Sequence, residues 1–482
     1  MRTNGILCAL SSLPSKYGIG SFDKEAYEFV DLLKKAHIKI WQLLPLNPIG
    51  FGASPYQSSC GEAIDLNYVS LNDLFRRKLI SEPLEFQSKC EKVDYEAVIK
   101  LKKDALEKAF KKQKDTEGNE FKKFIKENKW CPTYALFMVL LLKNNYKEWC
   151  DWPSEEKNAF YNPNFDTKKY AKEILFYEWC QFILYSEYFE LKEYANNQGI
   201  LIMGDIPFYV GGNSSDCWSN QDNFLLDKDG APTFVAGCPP DVFSTDGQRW
   251  GNPIYDWEFM KEDKFSFWFS RVNFAMKLFD FVRIDHFRAF DTYYMIPSTS
   301  PTARIGNRAN SYGDEFFEML FKNKLKSEIV AEDLGELFPS VEKLRDKYNL
   351  KGMNILEFTI LDPNFKNIHN QIIYTGNHDN DPVVGWFHDL TYQQKEQLKV
   401  IFRVHGIDLK KPIHKKMIEI AFKSNCDYCI IPIQDYLGLD KDARMNLPGT
   451  LGSPNWEFKL RDFRDFEETI PYILELIKKY KR

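Results

Sequence analysis

The sequence predicts an α/β protein built as a (β/α)8 TIM barrel with large, mainly helical insertions at the C-terminal face of the barrel. Short apolar segments with a polar or glycine-containing end recur along the 482 residues, and helical patterns follow several of them. There are eight such segments, which is the strand count of this barrel. The predicted strands are Ile6–Leu10, Ile40–Pro45, Ile200–Pro207, Phe281–His286, Ile329–Asp333, Asn354–Phe358, Ile372–His378 and Tyr428–Gln434.

Apolar residues at helical spacing predict helices over Lys24–His37 and Phe466–Tyr480. Residues 1–482 are expected to form a single barrel, because no low-complexity linker divides the chain. The long stretch between the second and third strands, residues 51–195, is predicted to be a mainly helical insertion. Residues 208–261, after the third strand, are rich in Gly, Asn, Pro and Asp and predict a loop-rich insertion above the barrel rim, where binding residues usually lie.

Composition narrows the possible partners and location. A net charge of −5, from 64 basic and 69 acidic residues, gives no argument for nucleic acid or an anionic membrane surface as a partner. No apolar run reaches the roughly 18 residues of a membrane span, and the N-terminus does not resemble a signal peptide. Ten scattered cysteines are expected to be core residues in a reducing, cytoplasmic location. No motif indicates an oligomeric state.

Two charged residues interrupt an apolar strand at Arg283 and Asp285. Residues two apart in a strand share a face, and burying an ion pair there is costly unless it has a purpose. A guanidinium beside a carboxylate keeps that carboxylate ionised, which a carboxylate nucleophile requires. A purely structural ion pair is the alternative interpretation.

Further carboxylates stand at or near the ends of three other predicted strands: Asp205, Glu332 and Asp379. Because these strand ends meet at one face of a barrel, we expect the three acids to converge with Asp285. Glycoside transfer with retention needs two carboxyl groups about 5–5.5 Å apart. Each acid alone could instead cap a turn or helix. Their common position, beside Arg283 and two histidines, favours catalysis.

A metal centre is the main chemical alternative. Zinc could in principle bind His286, His378, Asp205, Asp285 and Asp379. No HExxH motif or cysteine cluster is present, so no metal is expected. The chain also lacks a glycine-rich phosphate loop and a G-x-S-x-G elbow, so neither a nucleotide cofactor nor a serine hydrolase is indicated.

Several long motifs occur in a fixed order along almost the whole chain. They are Ser12–Gly20, Trp41–Leu46, Ser54–Ser58, Gly204–Pro207, Val235–Asp241, Gly247–Pro253, Arg283–Arg288, Ala331–Gly335, Thr375–Asp381, Pro432–Asp435 and Arg444–Thr450. Together they resemble the 4-α-glucanotransferases, the amylomaltase or disproportionating-enzyme family, which is family 77 of the glycoside hydrolases within the α-amylase superfamily.

The resemblance implies an enzyme that transfers a segment of an α-1,4-glucan to the 4-hydroxyl of glucose or a maltooligosaccharide. It implies no cofactor, no separate starch-binding domain, and a covalent glucosyl-enzyme with Asp285 as nucleophile and Glu332 as acid/base. Asp379 is expected to hold sugar hydroxyls at the cleaved site. The substrate-binding residues that the resemblance implies are Arg283, Asp205, His378, Tyr56, Trp250, Ser54 and Asn446.

Three stretches depart from the family pattern: Ser59–Asp65, Asn307–Ala309 and Trp456–Lys459. They bear on acceptor and chain-length preference. An α-amylase-like hydrolase with the same carboxylates is the alternative enzyme, and a metal-dependent barrel hydrolase would lose activity with a chelator. A non-catalytic glycan-binding barrel would be expected to lack Asp285 or Glu332, and both are present.

Overall fold

The computed structural model describes residues 2–82, 92–240, 245–322, 327–335, 338–362 and 370–482. Two short segments inside the predicted insertions, 83–91 and 241–244, therefore lie outside the described residues. Within the described chain, no helix combines the length and the apolar character that a membrane crossing requires.

Eight parallel strands form the central sheet. The strands of the described chain, in order, are β1 (Thr3–Leu7), β2 (Ile40–Gln42), β3 (Leu201–Ile206), β4 (Phe234–Cys238), β5 (Gln248–Pro253), β6 (Phe281–Ile284), β7 (Thr292–Pro297), β8 (Asn307–Asn310), β9 (Glu328–Ala331), β10 (Gly352–Ile355), β11 (Gln371–Tyr374) and β12 (Tyr428–Pro432). The central sheet has the order β10-β11-β12-β1-β2-β3-β6-β9. A parallel bridge between Val330 and Lys351 joins its two outer strands and closes the barrel. The predicted (β/α)8 fold is confirmed.

The predicted strand boundaries are shifted at several places. β1 begins at Thr3 rather than at Ile6, because the polar and glycine residues at its start still pair with β12, as Asn4 does with Cys429. β11 ends at Tyr374, four residues before the predicted end at His378. Residues beyond such strand ends turn into the barrel mouth, where they are buried without strand pairing, so apolar character alone does not mark the boundary.

A second, four-stranded antiparallel sheet of order β5-β4-β7-β8 was not predicted. Two of its strands, β4 and β5, lie in the segment predicted to be loop-rich. These strands are difficult to recognise in the sequence for two reasons. Gln248–Pro253 contains glycine and proline, and Asn307–Asn310 is polar and largely exposed. Neither segment shows the alternation of apolar and polar residues by which strands are recognised.

Helices alternate with the barrel strands, and six further helices lie in the described part of the chain between β2 and β3. The helices of the described chain are α1 (Lys24–Lys35), α2 (Leu71–Arg76), α3 (Tyr95–Phe110), α4 (Asn119–Glu127), α5 (Trp130–Lys143), α6 (Ser154–Lys157), α7 (Ala171–Asn197), α8 (Ser215–Ser219), α9 (Trp257–Glu262), α10 (Ser266–Leu278), α11 (Gly313–Phe321), α12 (Pro339–Lys347), α13 (Leu356–Thr359), α14 (Val383–Asp389), α15 (Tyr392–Val404), α16 (Ile413–Lys423), α17 (Ile433–Leu437) and α18 (Arg464–Tyr480). The helices predicted over Lys24–His37 and Phe466–Tyr480 are present as α1 and α18. Helix α1 ends before His37, whose backbone is left-handed with a φ of 57°.

Helix α7 joins this helical segment to the barrel through buried polar contacts. The Tyr188 hydroxyl donates a 2.7 Å hydrogen bond to the carbonyl of Leu278, at the end of α10. Glu187 accepts from the backbone N–H of Ser70, which caps α2. Because each of these groups is buried, losing a partner would leave a polar atom unsatisfied, and α7 is thereby held in one orientation.

Gly204 in β3 has no space for a side chain, since a Cβ atom there would lie 2.1 Å from Cδ2 of Phe279. We expect Gly204→Ala to lower the free energy of unfolding by about 1–3 kcal/mol through overpacking. The measurement is equilibrium denaturation of wild type and variant. The matched control is Gly212→Ala, whose added Cβ would meet its nearest neighbour, Cδ of Pro253, at 3.7 Å. Equal stability of the two variants would contradict the prediction.

Candidate active site

The two central carboxylates are fixed by the backbone at adjacent strand ends. Asp285 and Glu332 each follow the last residue of a barrel strand, β6 and β9. The hydrogen-bond ladder continues past the strands, because the Asp285 N–H donates to Ile206 O and the Glu332 N–H donates to Ile284 O, both at 3.0 Å. Parallel pairing thus places both acids side by side on the rim, as expected for strand-end residues of a barrel.

Arg283 lies between two carboxylates. Its Nη1 is 2.6 Å from Asp205 Oδ2, and its Nη2 is 3.0 Å from Asp285 Oδ1. The arrangement follows from strand register, which pairs Asp205 with Arg283 across β3 and β6. Arg283 and Asp205 are almost fully buried, whereas the Asp285 side chain is 29% exposed. The cation is therefore anchored on the buried side and presents Asp285 toward solvent.

Glu332 receives two backbone hydrogen bonds. His286 N–H donates to Oε2 at 2.6 Å, and Leu334 N–H donates to Oε1 at 3.1 Å. His286 reaches this position because its backbone is left-handed, with φ 47°, which is uncommon for a residue other than glycine. Such strained residues concentrate at functional sites, and here the strain directs an N–H at the carboxyl group.

The environment separates the acidities of the two acids. Burial raises the pKa of Asp285, and the guanidinium of Arg283 opposes that rise. Burial, followed by the negative charge of Asp285, raises the pKa of Glu332. Because the cation lies directly against Asp285 and not against Glu332, Asp285 loses its proton first. The pair therefore passes through a state with one carboxylate and one neutral carboxyl, which is what an acid/base pair with divided roles requires.

A second part of the site is formed by Tyr56 and His378. The Tyr56 hydroxyl donates to Asp205 Oδ2 at 2.7 Å and lies 3.1 Å from Nε2 of His378. The two rings stack with centroids 5.4 Å apart, and Trp456 packs against both. Burial lowers the pKa of His378, which favours the neutral imidazole. These flat faces and polar atoms suit a sugar ring bordered by hydroxyls.

Asp379 is oriented by its neighbours yet 38% exposed at its side chain. Asn446 Nδ2 donates to its Oδ1 at 2.6 Å, and His378 Nε2 lies 3.5 Å from its Oδ2. Arg444 donates to the backbone carbonyl of Asp379 and pairs with Asp381 at 2.8 Å. The carboxylate is thus held on one side and free to accept hydrogen bonds on the other.

The last two predicted residues, Ser54 and Trp250, have different environments. The Ser54 hydroxyl accepts from the backbone N–H of Tyr56 at 3.3 Å, so it shapes the turn that carries the tyrosine. Trp250 meets the His286 ring edge-on, with centroids 4.9 Å apart. The Gln57 side chain donates to the carbonyl of Trp250 at 3.1 Å and connects the two segments.

Sequence reasoning missed three contributors to the site. Arg444 contacts the backbone carbonyl of Asp379, and the backbone N–H of His286 contacts the carboxyl group of Glu332. No sequence pattern shows such a backbone contact between distant segments. Trp456 lies in a stretch that was noted only for departing from the family pattern. Its neighbours Tyr56 and His378 are far away in sequence, so an aromatic cluster could not be deduced.

Within the described residues, one group of side chains is close enough together to hold a metal ion, and it contains none of the residues considered above as zinc ligands. That grouping is Cys60, Glu62 and Asp216, whose possible ligand atoms all lie within 4.8 Å of one another. These three residues are distinct from the acids of the cleft.

The family model described as 4-alpha-glucanotransferase matches residues 8–465. The chain belongs to this family. The 4-alpha-glucanotransferase of Synechocystis sp. is 38% identical over 95% of the chain and 94% of that relative. The enzyme of the same name from Aquifex aeolicus is 36% identical over the full length of both. The resemblance found in the sequence is confirmed.

Solved structures agree with this family membership. The structure of an amylomaltase from Streptococcus agalactiae in complex with acarbose superposes with a TM-score of 0.94, at 34% identity and full coverage of both chains. The amylomaltase of Corynebacterium glutamicum has a TM-score of 0.77 at 16% identity, with 100% of this chain and 75% of that chain covered, which supports the fold alone.

Removing the cation should change the acidity of this 4-alpha-glucanotransferase site. In Arg283→Met, nothing opposes the effect of burial on Asp285, so its pKa rises further. We expect the acidic limb of the pH profile of kcat/KM for glucan transfer to move up by about 1–3 pH units. Asp205 also loses its buried partner, so stability falls by about 3–5 kcal/mol.

The matched control is Arg345→Met, since Arg345 forms a comparable buried ion pair with Asp333. It should lose stability in a similar way while the acidic limb stays in place. An unchanged acidic limb in Arg283→Met would refute the role given to this cation.

Proposed function

We propose that the protein is a 4-alpha-glucanotransferase that moves a segment of an α-1,4-glucan to the 4-hydroxyl of glucose or a maltooligosaccharide by a retaining double displacement. The observation that carries the mechanism is the unequal pair at the barrel rim: Asp285 contacts the Arg283 cation at 3.0 Å, and Glu332 does not share it. Retaining transfer requires such a nucleophile and a separate acid/base group. Family membership favours transfer over the hydrolase alternative.

In the first step, the carboxylate of Asp285 attacks the anomeric carbon while the bond to the leaving oxygen breaks. The neutral Glu332 gives its proton to that oxygen, so the leaving glucan departs with a free 4-hydroxyl. Asp285 is then covalently bound to the sugar. Arg283 opposes the rise that burial causes in the pKa of Asp285, so Asp285 loses its proton before Glu332 does, and burial supplies the proton-bearing form of Glu332.

In the second step, the acceptor takes the place of the leaving group. Glu332, now ionised, accepts the proton of the acceptor 4-hydroxyl as its oxygen attacks the anomeric carbon. The bond to Asp285 breaks and the carboxylate is restored. Two inversions return the α configuration, and both catalytic groups end in their starting protonation states.

The surrounding residues divide the recognition of the sugar at the cleaved bond. We assign the stacking face to Tyr56 and hydrogen bonds to sugar hydroxyls to His378. Asp205 is fully buried, so its part is to hold Arg283 and Tyr56 in place. Asp379, held by Asn446 and open on its other side, accepts from ring hydroxyls and strengthens its contacts as the ring flattens. Ser54 acts indirectly, through the turn of Tyr56.

Transfer requires that the acceptor, and not water, reaches the covalent intermediate. Trp250 lies beside His286, whose N–H contacts Glu332, so an acceptor sugar placed against the indole would cover the acid/base group. Closing the site in this way excludes water and favours the sugar hydroxyl. We propose that the insertions at 51–195 and 208–261 border this cleft on a single barrel formed by residues 1–482.

We further propose that the natural donors are maltooligosaccharides released from starch or glycogen. The relative from Streptococcus agalactiae was solved with acarbose, which supports a glucan-type ligand in the cleft. The described cysteines form no disulfide bonds with one another, and this supports the proposal of a reducing, cytoplasmic location.

The proposed function is tested by incubating the pure protein with maltotriose and chelator and separating the products by length. We expect glucose and a series of longer maltooligosaccharides. Asp285→Asn should abolish the series, because an amide cannot form the covalent intermediate. Its control is Asp346→Asn, an exposed acid of α12. Only shorter sugars would establish a hydrolase, and loss of activity with chelator would establish a metal requirement.

The acid/base role of Glu332 gives a separate prediction. Glu332→Gln should slow transfer from maltotriose by about 10²–10⁴-fold, because the leaving oxygen is no longer protonated. A maltosyl fluoride donor needs no such proton, so the variant should still form the covalent intermediate. Mass spectrometry of the intact protein would then show the added sugar. Equal loss with both donors would contradict the assignment.

A further inference from the structure

A buried glutamate without an assigned role lies beneath the turn that carries Asp379. Glu357 is in α13, directly after β10, and is only 7% exposed. Its backbone N–H donates to the carbonyl of Thr375 at 3.2 Å, which places the residue at the start of this turn. We call residues 377–381 the Asp379 turn.

The Glu357 carboxyl group fills space that a side chain on Gly376 would need. A Cβ atom at Gly376 would lie 3.1 Å from Oε1 of Glu357 and 3.2 Å from Cβ of Asn380. The carboxyl therefore packs against the backbone at the entry of the Asp379 turn and against the side chain of Asn380. Glycine at 376 is what allows this close approach.

From Asn380, side-chain hydrogen bonds lead to the catalytic acid. Asn380 Oδ1 accepts from the Asn377 N–H at 3.0 Å, and Asn377 Oδ1 accepts from the Asp379 N–H at 2.8 Å. Glu357, Asn380 and Asn377 thus act in series on the backbone of Asp379. Arg444 and Asn446 also hold this turn, through the backbone carbonyl and the carboxylate of Asp379.

We propose that Glu357 is a positioning residue that fixes the Asp379 turn from below, and thereby the carboxylate of Asp379, during glucan transfer. The inference rests on the proposed function. It assigns Glu357 no contact with the sugar, since its side chain is buried behind the turn. Loss of the support should therefore reduce the rate of the chemical step more than substrate binding.

The surroundings favour a neutral carboxyl group at Glu357. Its Oε1 is buried with no hydrogen-bond partner among the described residues, so an ionised group would leave an unsatisfied charge. The charged groups around it are Asp435 from α17, Asp381 from the Asp379 turn, and Arg444. Burial, then the two aspartates, raise the pKa of Glu357 well above its usual value, against Arg444 and a hydrogen bond with the side chain of Asn380.

The sign of the pH effect follows. A group whose pKa is raised is neutral below that pKa, so the support is complete on the acidic side of the pKa of Glu357. As the pH rises through the pKa, a charge appears beside Asp381 and Asp435 and pushes the turn away. Glu357→Gln remains neutral at every pH and keeps the shape of the side chain.

The experiment compares Glu357→Gln, Glu357→Asp and Glu357→Ala in the maltotriose assay. We expect Glu357→Gln to keep the wild-type kcat below the pKa of Glu357 and to lose less activity than wild type as the pH rises through that pKa. Glu357→Asp and Glu357→Ala should lower kcat by about tenfold or more, with a smaller change in KM, because the reacting groups are misplaced. The matched control is Glu187→Gln, a buried glutamate of α7 whose partner is the backbone N–H of Ser70, which should change neither kcat nor the pH profile.

The decisive measurement is a double-mutant cycle with Asp379→Asn. If Glu357 acts through Asp379, adding Glu357→Ala to Asp379→Asn should lower kcat no further. Multiplied losses, or a wild-type kcat in Glu357→Ala, would overturn the inference. Should the alanine variant not fold, Glu357→Asp takes its place in the cycle. Failure of the proposed function is separate, because it would appear as a missing product series in the wild type.

Discussion

The chemistry of this site depends on one buried cation held between two carboxylates. Arg283 is anchored by Asp205, which is fully buried, and contacts Asp285 at the edge of the cleft. The desolvation cost of such a group is met only when both partners are in place. Strand register supplies them, because β3 and β6 pair Asp205 with Arg283 directly. The barrel therefore determines which of the two rim acids loses its proton first, and the proposed division of roles with Glu332 rests on this order.

The sequence predicted the barrel and the position of its acids because both depend on a repeating physical rule. Buried parallel strands are apolar, and their carboxyl ends share a face, so Asp285 and Glu332 could be placed together before the structure was known. The second sheet escaped prediction because Gln248–Pro253 and Asn307–Asn310 bury too little apolar surface to show a pattern. Its strands are defined by pairing with distant segments, which the local sequence does not contain.

The same limit applies to the surroundings of the catalytic residues. A motif gives the identity of Asp379, but not the buried carboxyl of Glu357 behind it or the contact from Arg444. These neighbours come from other strand ends and meet only when the barrel closes. Likewise, the left-handed backbone of His286 could not be predicted locally, since this conformation is uncommon in residues other than glycine and the tertiary structure imposes it here.

The side chain of Gln57 connects two segments of this enzyme that are far apart in the sequence. It donates to the carbonyl of Trp250 and to the side chain of Asn252, and it follows Tyr56 directly in the chain. One amide group thus joins the segment of Trp250 and Asn252 to the turn that carries Tyr56. The two segments form a single exchangeable unit, although almost two hundred residues separate them. Grafting either one from a relative would have to bring the other, and natural variation at one should be accompanied by variation at the other.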